Sequence, residues 1–433
     1  PSPPPPRRPA RPARTPVRFI HAADIHLDSP LSGLSAYPDA PAEQLRNASR
    51  VAFTRLVDRA IEESVDFLVI AGDLYDGNWR DHNTGIFFVG EMGRLRRAGI
   101  PVYLLFGNHD AESEMTRRLV LPDNVHCFPS RAATTLRIEP LKVALHGQSF
   151  RDKATTDNLA ARYPAPVAGW FNIGVLHTAL EGYSAHPTYA PCSVDELHAR
   201  GYHYWALGHV HEFQQWQGAS TIVFPGNLQG RHIRETGRRG AVLVTVEEGE
   251  RVAVERLFID VLRWESLAVD VSDCEQLDAV ARRVGTRLEA LLEDDGQVPR
   301  AVRVRLQGRS PAHGLLFGHE AQLRAEVLAQ VAALGHERLW LEKVRIETAP
   351  PATGLALRSD AVAELHALLQ EAEGDADFLR QLQDDLAPFI GKLPHELRAE
   401  LPSLELVSGG QLDALVRQVA PGLLDHIARA EQA

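Results

Sequence analysis

The chain has 433 residues, enough for about two or three domains, and 44% of them are hydrophobic, so each domain can bury a core. Its net charge of −11 weighs against gripping nucleic acid by bulk electrostatics and leaves local basic patches for that task. Three cysteines, Cys127, Cys192 and Cys274, lack any C-x-x-C spacing and indicate neither a disulfide framework nor a zinc knuckle, and no apolar stretch reaches the length of a membrane span.

Residues 1–16 are rich in proline and arginine and read as an extended, disordered arm. The arm lacks the apolar core of a signal peptide, so a cytoplasmic location is expected. Residues 17–261 first alternate strand with helix, and five apolar runs each lead into a short polar block. Phe19-Ile20 precedes Asp24-Ile25-His26, and Phe67-Leu68-Val69-Ile70 precedes Gly72-Asp73-Leu74-Tyr75-Asp76. Val102-Tyr103-Leu104-Leu105 precedes Gly107-Asn108-His109-Asp110, the run from Ile173 to Leu176 precedes His177, and Trp205-Ala206-Leu207 precedes Gly208-His209-Val210-His211. Each run reads as a buried strand. Ligands at strand ends converge on one sheet edge, where open α/β sheets place their sites.

The segment from Gly85 to Leu95 reads as a helix whose Ile86, Phe87, Phe88, Met92 and Leu95 give more apolar surface than one face against a sheet requires. Further strands are predicted at Val143-Ala144-Leu145-His146, Ile222-Val223-Phe224, Ala241 to Val246 and Val254 to Ile259. They suit an α/β fold built as a two-sheet sandwich flanked by helices. Residues 262–349 read as a separate small α/β domain in the order strand, helix, strand, helix, strand, with Gly335 ending the second helix. Residues 350–433 are helical and leucine-rich, punctuated by Pro394, Pro402 and Gly409-Gly410.

Taken singly, each block has an ordinary reading: Asp24 as an N-cap, Gly72-Asp73 as a turn, Asn108 as a loop residue with positive φ, any histidine as a satisfied imidazole. The ordered set on five strand ends is what is specific. A phosphate-ester hydrolase must neutralise the phosphoryl oxygens and generate hydroxide at neutral pH, and two metals about 3.5–4 Å apart do both. Asp73 is the best candidate to bridge them, since an ionised carboxylate offers two acceptor oxygens. A mixture of His, Asp and one Asn is harder than a Cys-rich zinc site and softer than an all-oxygen magnesium site. It points to two divalent ions, manganese first, with iron, zinc or magnesium as alternatives.

The blocks resemble those of the calcineurin-like metallophosphoesterases. The longer strings from Phe19 to Pro30 and from Gly72 to Trp79 resemble the bacterial DNA-repair exonuclease branch of YhaO type, kin to the nuclease subunit of SbcCD. The resemblance implies one metal on Asp24, His26, Asp73 and His211, and a second on Asp73, Asn108, His177 and His209. It also implies that His109 faces the scissile phosphate, that Asp110 orients it, and that hydroxide activated by the two metals attacks. Pro225-Gly226-Asn227 followed by Arg231 and His232 resembles the family's loop after the last metal block, read as a phosphate-contacting surface.

The resemblance further implies that residues 262–349 cap the active site and hold DNA, that the helices after the second and third blocks support a homodimer, and that an SMC-like coiled-coil ATPase is the partner. The chain itself has no G-x-x-x-x-G-K-[ST] loop, so ATP would be bound by that other protein. Two basic patches are candidates for DNA contact: Arg231, Arg234, Arg238 and Arg239 in one loop, and Arg300, Arg303 and Arg305 on one stretch. The face of residues 350–433 is either packed on its own domain or docked on the partner. The function expected is a metal-dependent DNA exonuclease or endonuclease in DNA repair. The competing reading is a small-molecule phosphodiesterase or pyrophosphatase built on the same five blocks.

Overall fold

A computed structural model describes residues 16–29, 42–76, 82–112, 120–152, 155–180, 189–247, 251–293, 298–335, 337–351, 360–393 and 402–430. The predicted arm falls almost wholly outside these residues. The chain divides into two compact units, Pro1–Trp264 and Glu265–Ala433.

The first unit contains two six-stranded sheets. One is built from β1 (Val17–Ala22), β2 (Phe67–Ala71), β3 (Val102–Leu105), β4 (Val125–Cys127), β11 (Gly240–Val246) and β12 (Val252–Phe258), in the order β12-β11-β1-β2-β3-β4. The other comprises β5 (Thr134–Ile138), β6 (Val143–Gly147), β7 (Phe171–His177), β8 (Tyr204–Gly208), β9 (Gln214–Gln217) and β10 (Thr221–Phe224), in the order β5-β6-β7-β8-β10-β9. Strands β1 to β4 are parallel to one another, as are β6, β7, β8 and β10.

Strand alternation sorts the side chains into layers. Phe19, Phe67, Val69 and Tyr103 face Val143, Ile173, Val175 and Tyr204 in the core between the sheets. Their neighbours Ile20, Leu68 and Ile70 point the other way, onto Phe53, Leu56 and Val57 of the helix Ala42–Glu62 and Phe88, Met92 and Leu95 of the helix His82–Arg97. Trp205 and Leu207 close a third layer with Tyr163, Leu197 and Tyr202. Every strand that precedes a polar block is therefore buried on both faces, as its unbroken apolar run requires. In the helix His82–Arg97 this packing uses most of the apolar residues; Ile86 stays 68% exposed and Phe87 is partly buried.

The second unit has a three-stranded sheet, β13 (Arg263–Asp270), β14 (Arg300–Arg309) and β15 (Leu339–Ala349), with β14 central and parallel to β15. Helices Leu277–Glu293 and Glu320–Leu334 cover it, and an additional short helix, His313–Gly318, precedes the second of them. Among the described residues four helices follow: Asp360–Gly374, Ala376–Gly391, Pro402–Ser408 and Leu412–Ala430. The leucine pattern separates residues 350–433 from the small α/β domain, whereas in the structure they form one unit with it. The reason is the helix Leu412–Ala430, which buries Val416, Ala420 and Leu424 and packs on His313–Gly318 and Asp360–Gly374. Among the described residues no helix is long and apolar enough to cross a membrane.

Candidate metal centre

The blocks follow the carboxyl ends of β1, β2, β3, β7 and β8, and short bonds tie these edges together. The amides of Asp24, Ile25 and His26 donate to the carbonyls of Gly72 and Asp73, and the amide of His209 donates to both Asp24 carboxylate oxygens at 3.0 and 2.9 Å. Four residues of the centre have positive φ: Asp24 (50°), His26 (46°), Asp73 (51°) and His209 (105°). Non-glycine residues in this region are strained and gather at functional sites. The glycines that lead two blocks are required by close approach: a Cβ on Gly107 would collide with the Asp73 carboxylate, and one on Gly208 with the carbonyl of Ala71.

Among the described residues three clusters of metal-capable groups result: Asp24, His26 and His211; Asp73, His177 and His209; and His26, Asp76 and His109. Within each cluster the ligand atoms lie within 4.8 Å of one another. His177 Nδ1 lies 3.0 Å from the Ala71 carbonyl oxygen and so carries the proton, which turns the Nε2 lone pair onto Asn108 Oδ1 at 2.9 Å and Asp73 Oδ2 at 3.3 Å. Three such atoms facing one another inside a protein need a proton or a metal cation among them. Without a metal ion there, burial opposes a charged His177, but the Asp73 carboxylate outweighs it and pushes the imidazole up to about 9, so a proton on Nε2 takes the place that a metal cation would fill. Burial would raise Asp73 in turn, yet His177 and the neighbouring imidazoles hold it well below the usual carboxylate range.

The first cluster has the same character. His211 Nδ1 lies 2.7 Å from Glu235 Oε1 and donates to it, leaving its Nε2 3.3 Å from His26 Nε2. Among the described residues His26 Nδ1 is buried without a hydrogen-bond partner, and Asp76 Oδ1 lies 3.8 Å from it. Burial pushes Asp24 up and His26 down, as expected where charge is enclosed without its counter-ion. An orphaned ring nitrogen, opposed acceptors and a mixed N/O donor set fit divalent metal.

His109 and Asp110 part company. The expectation that Asp110 orients His109 is corrected: Asp110 is buried, and its oxygens accept the amides of Leu74 (3.1 Å), Tyr75 (2.9 Å) and Gly107 (3.0 Å). It braces the backbone of the two loops that carry Asp73 and Asn108, and burial raises it to about 7. The partner of His109 is Asp76, whose Oδ1 lies 3.2 Å from His109 Nδ1. That contact raises His109 and lowers Asp76, while the His109 amide donates to Asp73 Oδ1 at 3.0 Å. Sequence reasoning missed Asp76 although it stands three residues after Asp73 in a quoted block. Glu235, four residues after Arg231, was also missed.

Arg231 reaches the same rim, 17% exposed at its side chain and 3.8 Å from Asp76 Oδ2. His232 lies 3.7 Å from Glu235 and is more exposed. Arg239 does not belong to a surface patch, because it is buried and donates to the carbonyls of His211 and Thr236 and to Glu212. The stretch Arg300, Arg303 and Arg305 is also neutralised: each arginine faces a carboxylate, on Glu265, Glu342 and Glu347.

The calcineurin-like phosphoesterase family matches residues 17–213, and the family described as metallophosphoesterase YhaO, middle domain, matches residues 264–349. The uncharacterized metallophosphoesterase YhaO of Bacillus subtilis is 37% identical over 301 residues, covering 69% of this chain and 73% of the relative. The DNA double-strand break repair protein Mre11 of Methanopyrus kandleri is 26% identical over 428 residues, covering 89% of this chain and 87% of the relative. The protein of the same name from Sulfurisphaera tokodaii is 26% identical over 273 residues, 60% of this chain and 67% of the relative.

Proposed function

The chain belongs to the calcineurin-like metallophosphoesterases, and from that premise we propose that it hydrolyses the phosphodiester bonds of DNA as an exonuclease or endonuclease in repair. The observation that carries hydrolysis is the opposition of acceptors at the strand ends, with His177 turned by Ala71 and His211 by Glu235 so that their Nε2 atoms face carboxylate, amide or imidazole. Two divalent ions, manganese by preference, supply charge neutralisation and an acidified water when bound there. Asp24, His26, Asp73 and His211 would hold one, and Asp73, Asn108, His177 and His209 the other, Asp73 serving both.

The protein's own groups do the rest. Asp76 fixes His109 through Nδ1, which leaves Nε2 to meet the phosphate and, in protonated form, to donate to the leaving oxygen. Arg231 and His232 would contact phosphate; the buried Arg231 Nε has no hydrogen-bond acceptor among the described residues, as suits an arginine waiting for one.

DNA is favoured by the long match to chains named for double-strand break repair, which runs beyond the phosphoesterase domain. Residues 262–349 would hold the DNA. The exposed Leu368, Phe378, Phe389, Val419 and Leu423 of the terminal helices would dock an SMC-like coiled-coil ATPase. Ile86 and Phe87 would support a homodimer, and the assembly would work in the cytoplasm. A small-molecule phosphodiesterase or pyrophosphatase is the second reading, favoured by the carboxylates that neutralise the arginines of β14. Purified protein with manganese, a labelled duplex, a labelled single strand and a bis-nitrophenyl phosphate ester in parallel separates the two. Cleavage of the ester alone would replace DNA with a small substrate.

A further inference from the structure

Glu235 is 5% exposed and lies outside the ligand blocks, yet it accepts from four donors around the centre. Its Oε1 lies 2.7 Å from His211 Nδ1 and 3.3 Å from Arg231 Nη2. Its Oε2 accepts Asn227 Nδ2 at 2.9 Å and the Arg231 amide at 2.7 Å. One carboxylate thus touches a candidate metal ligand and a candidate phosphate-binding arginine at once. It closes the turn from His232 to Glu235, where the His232 carbonyl receives the Glu235 amide at 2.9 Å.

We propose that Glu235 is a positioning residue that locks His211 as the Nδ1–H tautomer, so that Nε2 is presented as a ligand, and holds Arg231 at the same rim. The inference rests on the two-ion reading above and deepens it. An imidazole has one proton to place. While Nδ1–H points at a carboxylate that cannot donate, Nε2 must be the lone pair, and partners of this kind raise ligand basicity and fix ring orientation. Because both Glu235 oxygens face donors only, an amide cannot replace it. In Glu235→Gln the new NH₂ either opposes Asn227 and the Arg231 amide, or turns to His211, makes Nδ1 an acceptor and moves the imidazole proton onto the ligand nitrogen.

The test compares wild type, Glu235→Gln, His211→Ala and the double variant for manganese content by elemental analysis after equilibrium dialysis. In Glu235→Gln one of two ions should bind about 10- to 100-fold more weakly while the other is retained. The double variant should lose no more than His211→Ala, because the glutamate acts through the histidine. A long-range ¹H–¹⁵N spectrum of metal-free wild type at alkaline pH should show His211 as the Nδ1–H tautomer, a readout independent of any variant's folding. An Nε2–H tautomer there, or two ions held with wild-type affinity by Glu235→Gln, overturns the proposal. Wild type that takes up no manganese overturns the two-ion reading together with this one.

Discussion

The pairing of Asp76 with His109 gives the sharpest test of the chemistry. If His109 acts on the phosphate, His109→Ala removes a group whose loss ordinarily costs on the order of 10² to 10⁴ in turnover, or about 3 to 5 kcal/mol of barrier. Asp76→Asn should cost less. The contact is 3.2 Å long, with side chains 33% and 27% exposed. A hydrogen bond between charged partners contributes about 1.5 to 3 kcal/mol when dry, and partial wetting reduces it to about 1 to 2 kcal/mol, which is about 5- to 30-fold in turnover. The sign of the pH effect follows from the same contact: Asp76 raises His109, so its loss should move the alkaline limb of the kcat/KM profile to lower pH. The assay is steady-state hydrolysis of bis-nitrophenyl phosphate with manganese, alongside elemental analysis. His26, Asp76 and His109 also form one of the metal-capable clusters, so loss of an ion in His109→Ala would show that His109 is a ligand and refute the reasoning.

Three further outcomes are expected. Asp73→Asn should lose two-ion occupancy and nearly all hydrolysis while its circular dichroism stays native; wild-type turnover in that variant would overturn the bridging assignment. Asp110→Asn should act on stability, because whichever way the amide turns, its NH₂ opposes at least one of the Leu74, Tyr75 and Gly107 amides. A buried donor left unpaired costs about 1 to 3 kcal/mol, and an unchanged melting temperature would refute the bracing role. A chain ending near Thr348 should melt lower or aggregate, since it loses the helix that buries Val416, Ala420 and Leu424, the Val416 and Leu424 side chains each contributing up to about 1.5 to 3 kcal/mol. A stable, metal-binding truncation that fails to co-purify with the ATPase would instead assign that face to the partner.

The residues that the structure gathers into the candidate centre could be picked out of the sequence because their constraint is local. A ligand on a strand end must follow an apolar run, and where two loops nearly touch, as at Gly107 and Gly208, no Cβ fits, so the glycine is written into the block. The residues that support those ligands were not legible, because they are chosen by distance in space. Nothing in the order His109-Asp110 reveals that the short helix Asn108–Glu112 turns the neighbouring carboxylate into the loop amides and leaves His109 to Asp76, 33 positions earlier in the chain. The arginines of β14 look like a basic stripe until β15 is laid beside them, bringing Glu342 to Arg303 and Glu347 to Arg305. A charge run in a sequence shows only the donors; the acceptors come from whichever strand the register selects.

The same bonds explain how four residues of the centre tolerate positive φ. Each such residue costs on the order of 1 to 3 kcal/mol and persists only where its surroundings over-determine it. Here they do: the amides of Asp24, Ile25 and His26 are fixed to the carbonyls of Gly72 and Asp73, the Asp24 carboxylate binds the His209 amide, and Asp110 binds three amides across two loops. The strain is thus offset by protein–protein bonds. The donor atoms are held in place by the fold, so binding energy from the ions need not be spent on assembling the backbone. A centre arranged in this way is built for chemistry on a phosphate, where a fixed geometry lowers the barrier. Ions that served only to hold the fold together would find that work already done by backbone and carboxylate.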